Sequence, residues 1–442
     1  MAEQVDVVVV GLGVGGEEVA GRLAEAGLRV VGIEGRLVGG ECPYYGCVPS
    51  KMIIRAANSL AEARRVPLLA GSSSVEADWA PVARRIRDEA TDDWDDTVAV
   101  ERFTGKGGIF VRGWATVTGP RTVAVGDREF TAARALVIGT GTEPAIPPVD
   151  GLGGTPLWTN REALRAETLP ESLAVLGGGA VGLELAQAFA RFGVRVTVVE
   201  VLDRLLAVEE PESSALARQA IERDGIVVHT SATVDRVSHD GTGFTLHGPG
   251  VTAERLLVAT GRRANVPAGL GFDRQRFIAV DERMRAGDGV WAVGDVTGHG
   301  LFTHMAMYQA GIAVRDILGQ DGPPADYRAT PRVTFLDPEI GAVGLTEAQA
   351  RERGLAVRTG MTQVPSTARG WIHKAGNEGF IKLVAADGVL VGATSAGPVG
   401  GEVLSALAVA VHAAVPVDTL RSMIYAYPTF HRGIEDALRA LE

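Results

Sequence analysis

The chain has only two cysteines in 442 residues, Cys42 and Cys47. So few exclude the disulfide framework of a small secreted domain. No His-x-x-His or second cysteine pair lies nearby to complete a metal-ligand set, so no metal site is expected. A close pair in a reducing compartment is either redox-active or simply two thiols, and spacing alone leaves both readings open. Basic residues are also in deficit: 43 Lys and Arg against 54 Asp and Glu leave a net charge of −11. That sign argues against nucleic acid or an anionic membrane surface as partner. Long hydrophobic runs are missing as well. The longest, Leu404 to Val417, is broken by His412 and is too short to span a bilayer. The opening MAEQVDVVVVGLG has no basic region or cleavage site and runs straight into a strand. These absences lead us to expect a soluble, cytoplasmic protein, and the length suggests about three domains.

Glycine, by contrast, is abundant: 57 residues, well above the usual proportion of about 7%. With proline near average, that excess indicates tight turns and close backbone approaches rather than disorder. The first glycine cluster has a clear context. A buried strand, Val5 to Val10, meets G-L-G-V-G-G at Gly11 to Gly16, and a helical stretch to Gly27 follows. A second strand, Leu28 to Ile33, then ends at Glu34, 23 positions after Gly11. This is the dinucleotide-binding βαβ pattern. Gly11 permits the tight turn, Gly13 lets a pyrophosphate approach the backbone, and Gly16 lets helix pack on strand. The helix N-terminus favours the anion, and Glu34 is placed to accept from ribose hydroxyls.

The unit recurs. Leu173 to Leu176 leads into Gly177, Gly179 and Gly182, a helix runs to about Phe192, and the strand Val194 to Val199 ends at Glu200, again 23 positions on. Two such units imply two adenine dinucleotides, or one plus a decayed copy. Between them, Pro81 to Phe103 reads as helical, with Trp79 and Trp94 as core residues. Two apolar strands close in Thr-Gly, at Thr140-Gly141 and Thr260-Gly261, where the chain can cross between domains. The segment Gly289 to Val296 reads as another buried strand with Asp295 at its carboxyl end, where α/β sheets bind ligands. After about Gln320, Gly322 to Pro324 looks like a linker. Beyond it, Asp387-Gly388 marks a hairpin, and the apolar helix from about Val403 to Ala413 is a candidate subunit interface.

With these residues in hand, the chain resembles the FAD-dependent pyridine nucleotide–disulfide oxidoreductases, the family of glutathione reductase, dihydrolipoamide dehydrogenase and mercuric reductase. The resemblance runs through G-G-E-C-P-Y-Y-G-C-V-P-S-K at Gly39 to Lys51, the Thr-Gly phrases, V-W-A-V-G-D, T-H-M-A at Thr303 to Ala306, and the segment from Phe335 to Thr346. It implies an α/β fold with two Rossmann-like dinucleotide-binding domains and a C-terminal α+β dimerisation domain. The FAD-binding domain would span 1–150 and 263–325, the NAD(P)H-binding domain 151–262, and the dimerisation domain 326–442. It also implies a homodimer with active sites shared between subunits.

The same resemblance implies residue roles. Cys42 would be the interchange cysteine exposed to substrate, and Cys47 the charge-transfer cysteine against the flavin. Lys51 would pair with Glu184 near the flavin. Around the cofactors it implies Gly15, Gly40, Thr140, Gly141, Gly261 and Gly294, with His304 and Ala306 on the following helix. Physical chemistry agrees with the thiol roles: thiolate is the reactive form, and a helix N-terminus or a nearby ammonium favours it. Lys51, four positions after Cys47, shares its helical face.

The tail departs from the family. Tyr427 stands where disulfide-reducing members have histidine, and Arg432 where they have glutamate. A tyrosine with a pKa of about 10 is ionised roughly once in a thousand at pH 7, so it is a poor base. His431 and Glu435, four apart, are candidates for a substitute dyad. Mercuric reductases share a tyrosine near this point, but D-A-L-R-A-L-E lacks their C-terminal cysteine pair. The expected function is therefore a flavoprotein reductase passing hydride equivalents from NAD(P)H through FAD to Cys42–Cys47. The acceptor would be small: an unusual disulfide, an electrophile, a quinone or a metal ion. The alternatives are a dihydrolipoamide dehydrogenase-type complex component and a flavin-bearing sensor with little turnover. Glu200 favours NADH over NADPH, because a carboxylate repels a 2′-phosphate, although Arg204 lies close by.

Overall fold

Valine-rich runs build two parallel sheets, because β-branched residues buried on both faces pack well in the pleat. The structure, a computed structural model, describes residues 2–441. It divides into two compact units. The first comprises 1–50, 84–145 and 261–327, and the second 51–83, 146–260 and 328–442. The chain leaves the first unit inside one helix, Cys47–Arg65.

In the first unit, Glu3–Val10 lies between Val30–Glu34 and Arg128–Ile138, all parallel. Ile109–Arg112 extends one side and Val290–Ala292 the other, both parallel to their neighbours. Val7, Val8 and Val9 are fully buried, as a central strand requires. The helices Val14–Glu25 and Thr303–Leu318 share the core on one face, through Val19, Leu23, Ala310 and Ala313. The Thr-Gly phrases meet in this unit as a two-stranded ribbon, Thr142–Pro144 against Arg262–Ala264.

In the second unit, the parallel order is Val227–His229, Arg195–Val199, Ser172–Leu176 and Arg255–Val258. Beyond it comes a five-stranded antiparallel sheet. Its hairpin, Phe380–Ala386 to Val389–Gly397, turns at Asp387-Gly388 with φ values of 50° and 79°, the type I′ geometry that pair favours. The apolar helix, Gly400–His412, uses Val403, Leu404, Leu407, Ala410 and Val411 on its own sheet. Val409 on its outer side is 65% exposed. Among the described residues, no helix is long and apolar enough to cross a membrane.

One element differs from the sequence reading. The stretch from Pro81 to Phe103 is not a continuous helix. Ala80–Arg85 passes into a π-helical turn, Ile86–Ala90, and helix resumes only at Thr97–Gly105. Between them Asp92, Asp93 and Trp94 all take left-handed backbone, with φ of 48°, 53° and 57°. Thr91 Oγ1 donates to the carbonyls of Ile86 and Arg87 at 3.0 and 3.2 Å. Aspartate tolerates the left-handed region and favours turns over helix interiors. Trp79 is core, packed edge-on to Phe189 and Phe192 at 5.5 and 5.2 Å, whereas Trp94 sits in the turn.

Candidate active site: two glycine loops and a thiol pair

The two glycine loops are built alike. Gly11 has φ +88°, and a Cβ there would lie 2.6 Å from the carbonyl oxygen of Gly139. Gly177 has φ +112°, and its Cβ would lie 2.5 Å from the carbonyl of Ala259. At Gly16 and Gly182 a Cβ would overlap the carbonyl of the first glycine of the same loop. Those four glycines are required by turn and packing. The middle glycines are not: a Cβ on Gly179 would meet nothing within 4 Å, and one on Gly13 nothing nearer than 3.9 Å. Each caps the N-terminus of a 12-residue helix, Val14–Glu25 or Ala180–Arg191. Packing does not demand glycine at these two positions, whereas the close approach of a pyrophosphate would.

The strand-end acids also match. Glu34 accepts from the backbone N–H groups of Leu12 and Arg36 at 2.8 and 2.7 Å. Glu200 accepts from Gly178 and Leu202 at 2.6 and 2.7 Å. Each carboxylate is thus aimed at its glycine loop by hydrogen bonds from backbone N–H groups. Arg204 is committed elsewhere: its guanidinium donates to the carbonyls of Glu209 and Ala207 and to Ser214 Oγ at 2.9, 2.6 and 2.7 Å.

At the other strand ends, Thr140 Oγ1 donates to the Asn265 carbonyl at 2.5 Å, which joins the two Thr-Gly phrases. Gly141 and Gly261 carry φ of +62° and +112° there. Asp295 begins a short 3₁₀ turn rather than ending a strand, since the strand stops at Ala292. It accepts from Thr142 Oγ1 at 2.9 Å, and burial pushes its carboxyl above the usual range. Cβ atoms on Gly15 and Gly294 would come within 3.2 and 3.4 Å of the Ala306 methyl, so these glycines let that helix approach. His304 is exposed and stacks on Phe302, with ring centroids 5.2 Å apart.

The thiols sit at the break between two helices, Glu41–Tyr45 and Cys47–Arg65, with Gly46 at φ −138°, ψ −116°. Gly40, at φ +70°, lies against Gly13, and the N–H of Gly39 donates to Leu12 O at 2.7 Å, which ties this segment to the glycine loop. Both cysteines are free thiols; Cys47 is exposed and Cys42 half-buried. Cys47 Sγ lies 3.3 Å from Thr303 Oγ1. A hydrogen bond to Cys47, reinforced by burial, pushes the Cys42 thiol well up, so Cys42 keeps its proton at neutral pH. Cys42 lines a cavity of about 350 Å³ together with Val14, Glu17, Pro43, Arg102 and Phe103. Glu17 and Arg102 form an ion pair at 2.6 Å on its wall. Burial, followed by Asp96, pushes the Tyr44 phenol up to about 12, so it is no base at neutral pH.

In the second unit, Lys51 Nζ is 2.7 Å from Glu184 Oε2, and Glu184 Oε1 accepts from Phe335 N at 2.8 Å. The ammonium also lies 4.6 Å from the centroid of the Phe335 ring. Thr303 and Phe335 were both inside motifs quoted from the sequence, but their contacts are tertiary and no local pattern marks them. Tyr427 is 70% exposed, with the Arg432 guanidinium 5.6 Å over its ring. Arg432 holds Glu435 at 2.9 Å and Arg439 binds the same carboxylate. The carboxylate that spacing offers to His431 is thus occupied by arginines.

Comparison with known proteins agrees with this geometry. The sequence profile described as pyridine nucleotide-disulphide oxidoreductase matches residues 5–311, and that of the family's dimerisation domain matches 330–438. The dihydrolipoyl dehydrogenase of Thermus scotoductus is 32% identical, over 99% of this chain and 97% of its own. The mercuric reductase of Streptomyces lividans is 34% identical, over 97% and 94%. Among solved structures, the HOCl-induced flavoprotein disulfide reductase RclA of Escherichia coli superposes with a TM-score of 0.86 at 25% identity, over 98% of this chain and 99% of its own. Two cofactor cradles, a thiol pair beside one of them and family matches along the chain have one reading: it belongs to the pyridine nucleotide–disulphide oxidoreductases, flavoenzymes that pass reducing equivalents between NAD(P)H, FAD and a redox disulfide.

Proposed function

We propose that the chain is an NADH-dependent, cytoplasmic reductase that delivers electrons through Cys42 to a small acceptor other than glutathione disulfide or lipoamide. The observation that carries this reading is the opening of Cys42, not Cys47, onto the cavity of about 350 Å³. FAD supplies the exchange of a hydride from the nicotinamide for the electron pair delivered to the disulfide. The loop Gly11 to Gly16, Glu34, Gly40 and Asp295 bind it, in the segments 1–150 and 263–325. The loop Gly177 to Gly182 and Glu200 bind NADH, in 151–262. Lys51, ion-paired with Glu184, is the lysine assigned to the flavin.

Each turnover takes a hydride from NADH and a proton from solvent and leaves Cys42 and Cys47 as a dithiol. The acceptor then takes two electrons and two protons, and the disulfide re-forms. Cys42 lines the cavity and is the group that meets the acceptor, while Cys47 is the thiol assigned to the flavin. Tyr427 and Arg432 come from the dimerisation domain, 326–442, and act on the partner subunit's site in a homodimer. Their chemistry disfavours simple disulfides, because releasing a thiol from a mixed disulfide needs acid–base help near neutral pH, which a histidine supplies better than a tyrosine or an arginine.

Anaerobic addition of one equivalent of NADH to the holoenzyme tests the division of roles. Long-wavelength charge-transfer absorbance is expected, absent in Cys47→Ser and present in Cys42→Ser even without reductant. Identical behaviour of the two variants would refute the assignment.

A further inference from the structure

The thiol-bearing segment is held at two points by one unusual turn. Helix Glu41–Tyr45 ends at Gly46, and the last carbonyls of a helix look to donors outside its own ladder. The indole Nε1–H of Trp94 donates to one of them, Tyr44 O, at 3.2 Å. Tyr44 lies between Cys42 and Cys47 in sequence, so this bond fixes the backbone between the two sulfurs. Two residues on, Asp96, 8% exposed, accepts from Val38 N at 2.7 Å on the upstream side of the same segment. Arg112 grips Asp96 through both carboxylate oxygens at 2.8 and 2.6 Å.

The turn that carries Trp94 and Asp96 is conformationally costly. Asp92, Asp93 and Trp94 are three successive non-glycine residues in the left-handed region, which L-residues visit singly. They follow a π-helical turn, a feature that tends to mark functional positions. Helix Thr97–Gly105 starts directly after the turn, and Arg102 and Phe103 of that helix line the Cys42 cavity. This six-residue element therefore bonds the thiol segment and leads directly into a helix that lines the Cys42 cavity.

We propose that Thr91–Asp96 is a clamp that sets the Cys42–Cys47 geometry, with Trp94 as its positioning residue. Strain retained where an ordinary helix was available has this use: only the left-handed turn brings the Trp94 indole and the Asp96 carboxylate to the same segment. The proposal rests on the reading of Cys42 and Cys47 as the redox pair. Trp94 touches no reacting atom; it acts through the Tyr44 carbonyl.

Trp94→Phe in the holoenzyme keeps the ring and removes the donor. Flavin reduction by NADH, followed by stopped flow, should be unchanged. Delivery of electrons to the disulfide, and turnover of 5,5′-dithiobis(2-nitrobenzoate), should fall about fivefold, the effect of one lost ordinary hydrogen bond. Thermal stability should move little. Asp96→Asn, which keeps the shape but loses the charge that binds Arg112, should shift the thiol step in the same direction. Trp371→Phe, the same change at a residue 76% exposed in the other unit, should change nothing. Wild-type rates of the thiol step in Trp94→Phe would overturn the clamp. If NADH exposed no new pair of titratable thiols per FAD in the wild type, the redox reading itself would fail, and the clamp with it.

Discussion

Donor selectivity should follow one carboxylate. Glu200 is 9% exposed and points into the second glycine loop, held by backbone N–H groups at 2.6 and 2.7 Å. A 2′-phosphate brought within about 4–6 Å of it, at an effective dielectric near 20, would meet repulsion of about 3 kcal/mol. That corresponds to roughly a hundredfold in kcat/KM in favour of NADH. Arg204 is not placed to pair directly with the phosphate, because its guanidinium already serves two carbonyls and a hydroxyl. Glu200→Gln keeps the shape and removes the charge, so the preference should shrink to about tenfold or less, mainly through faster reaction with NADPH. The assay is stopped-flow flavin reduction by each donor at low and high salt; the site is nearly buried, so the ratio should change little with salt. An NADPH preference in the wild type, or an unchanged ratio in Glu200→Gln, would refute the assignment.

The tail gives a second prediction: Tyr427→His with Arg432→Glu should raise glutathione disulfide turnover by on the order of tenfold to hundredfold, the range of general acid–base catalysis, with flavin reduction unaltered in stopped flow. Asp295→Asn should stabilise the FAD-free chain by about 1 kcal/mol at pH 7 while weakening FAD binding about tenfold, a trade between stability and function, read by thermal melts and fluorescence titration. The sign follows from burial, which raises the Asp295 carboxyl. Its ionisation penalises the fold only as pH rises from the unfolded value of about 3.9 through the folded one, so the stabilising effect should vanish in acid. Lys382, 5% exposed, sits 3.0, 2.8 and 3.1 Å from Glu210, Glu212 and Glu347. Lys382→Met would leave Glu210 and Glu212 without their cation, while Glu347 keeps Arg351, and should cost about 3–5 kcal/mol in denaturant melts, while Lys382→Arg should cost far less.

Local chemistry made much of this protein legible in its sequence. A dinucleotide loop must place glycines at fixed spacings after a strand and an acid at the end of the next, so Gly11 with Glu34 and Gly177 with Glu200 could be read directly. Hairpin chemistry at Asp387-Gly388 is equally local. What depends on distant partners could not be read. Thr303 meets Cys47 across 256 positions, and Phe335 meets Glu184 across 151. The stretch 81–103 carries helical periodicity, yet Thr91 and a run of aspartates divert it into a left-handed turn that brings Trp94 to Tyr44. Spacing offered Glu435 to His431, but Arg432 and Arg439 take it. Periodicity and glycine spacing are properties of neighbouring residues and therefore set the two βαβ units. Which side chain ends beside which thiol or carboxylate depends on loops closing over a hundred positions or more, and only the packed tertiary structure decides that.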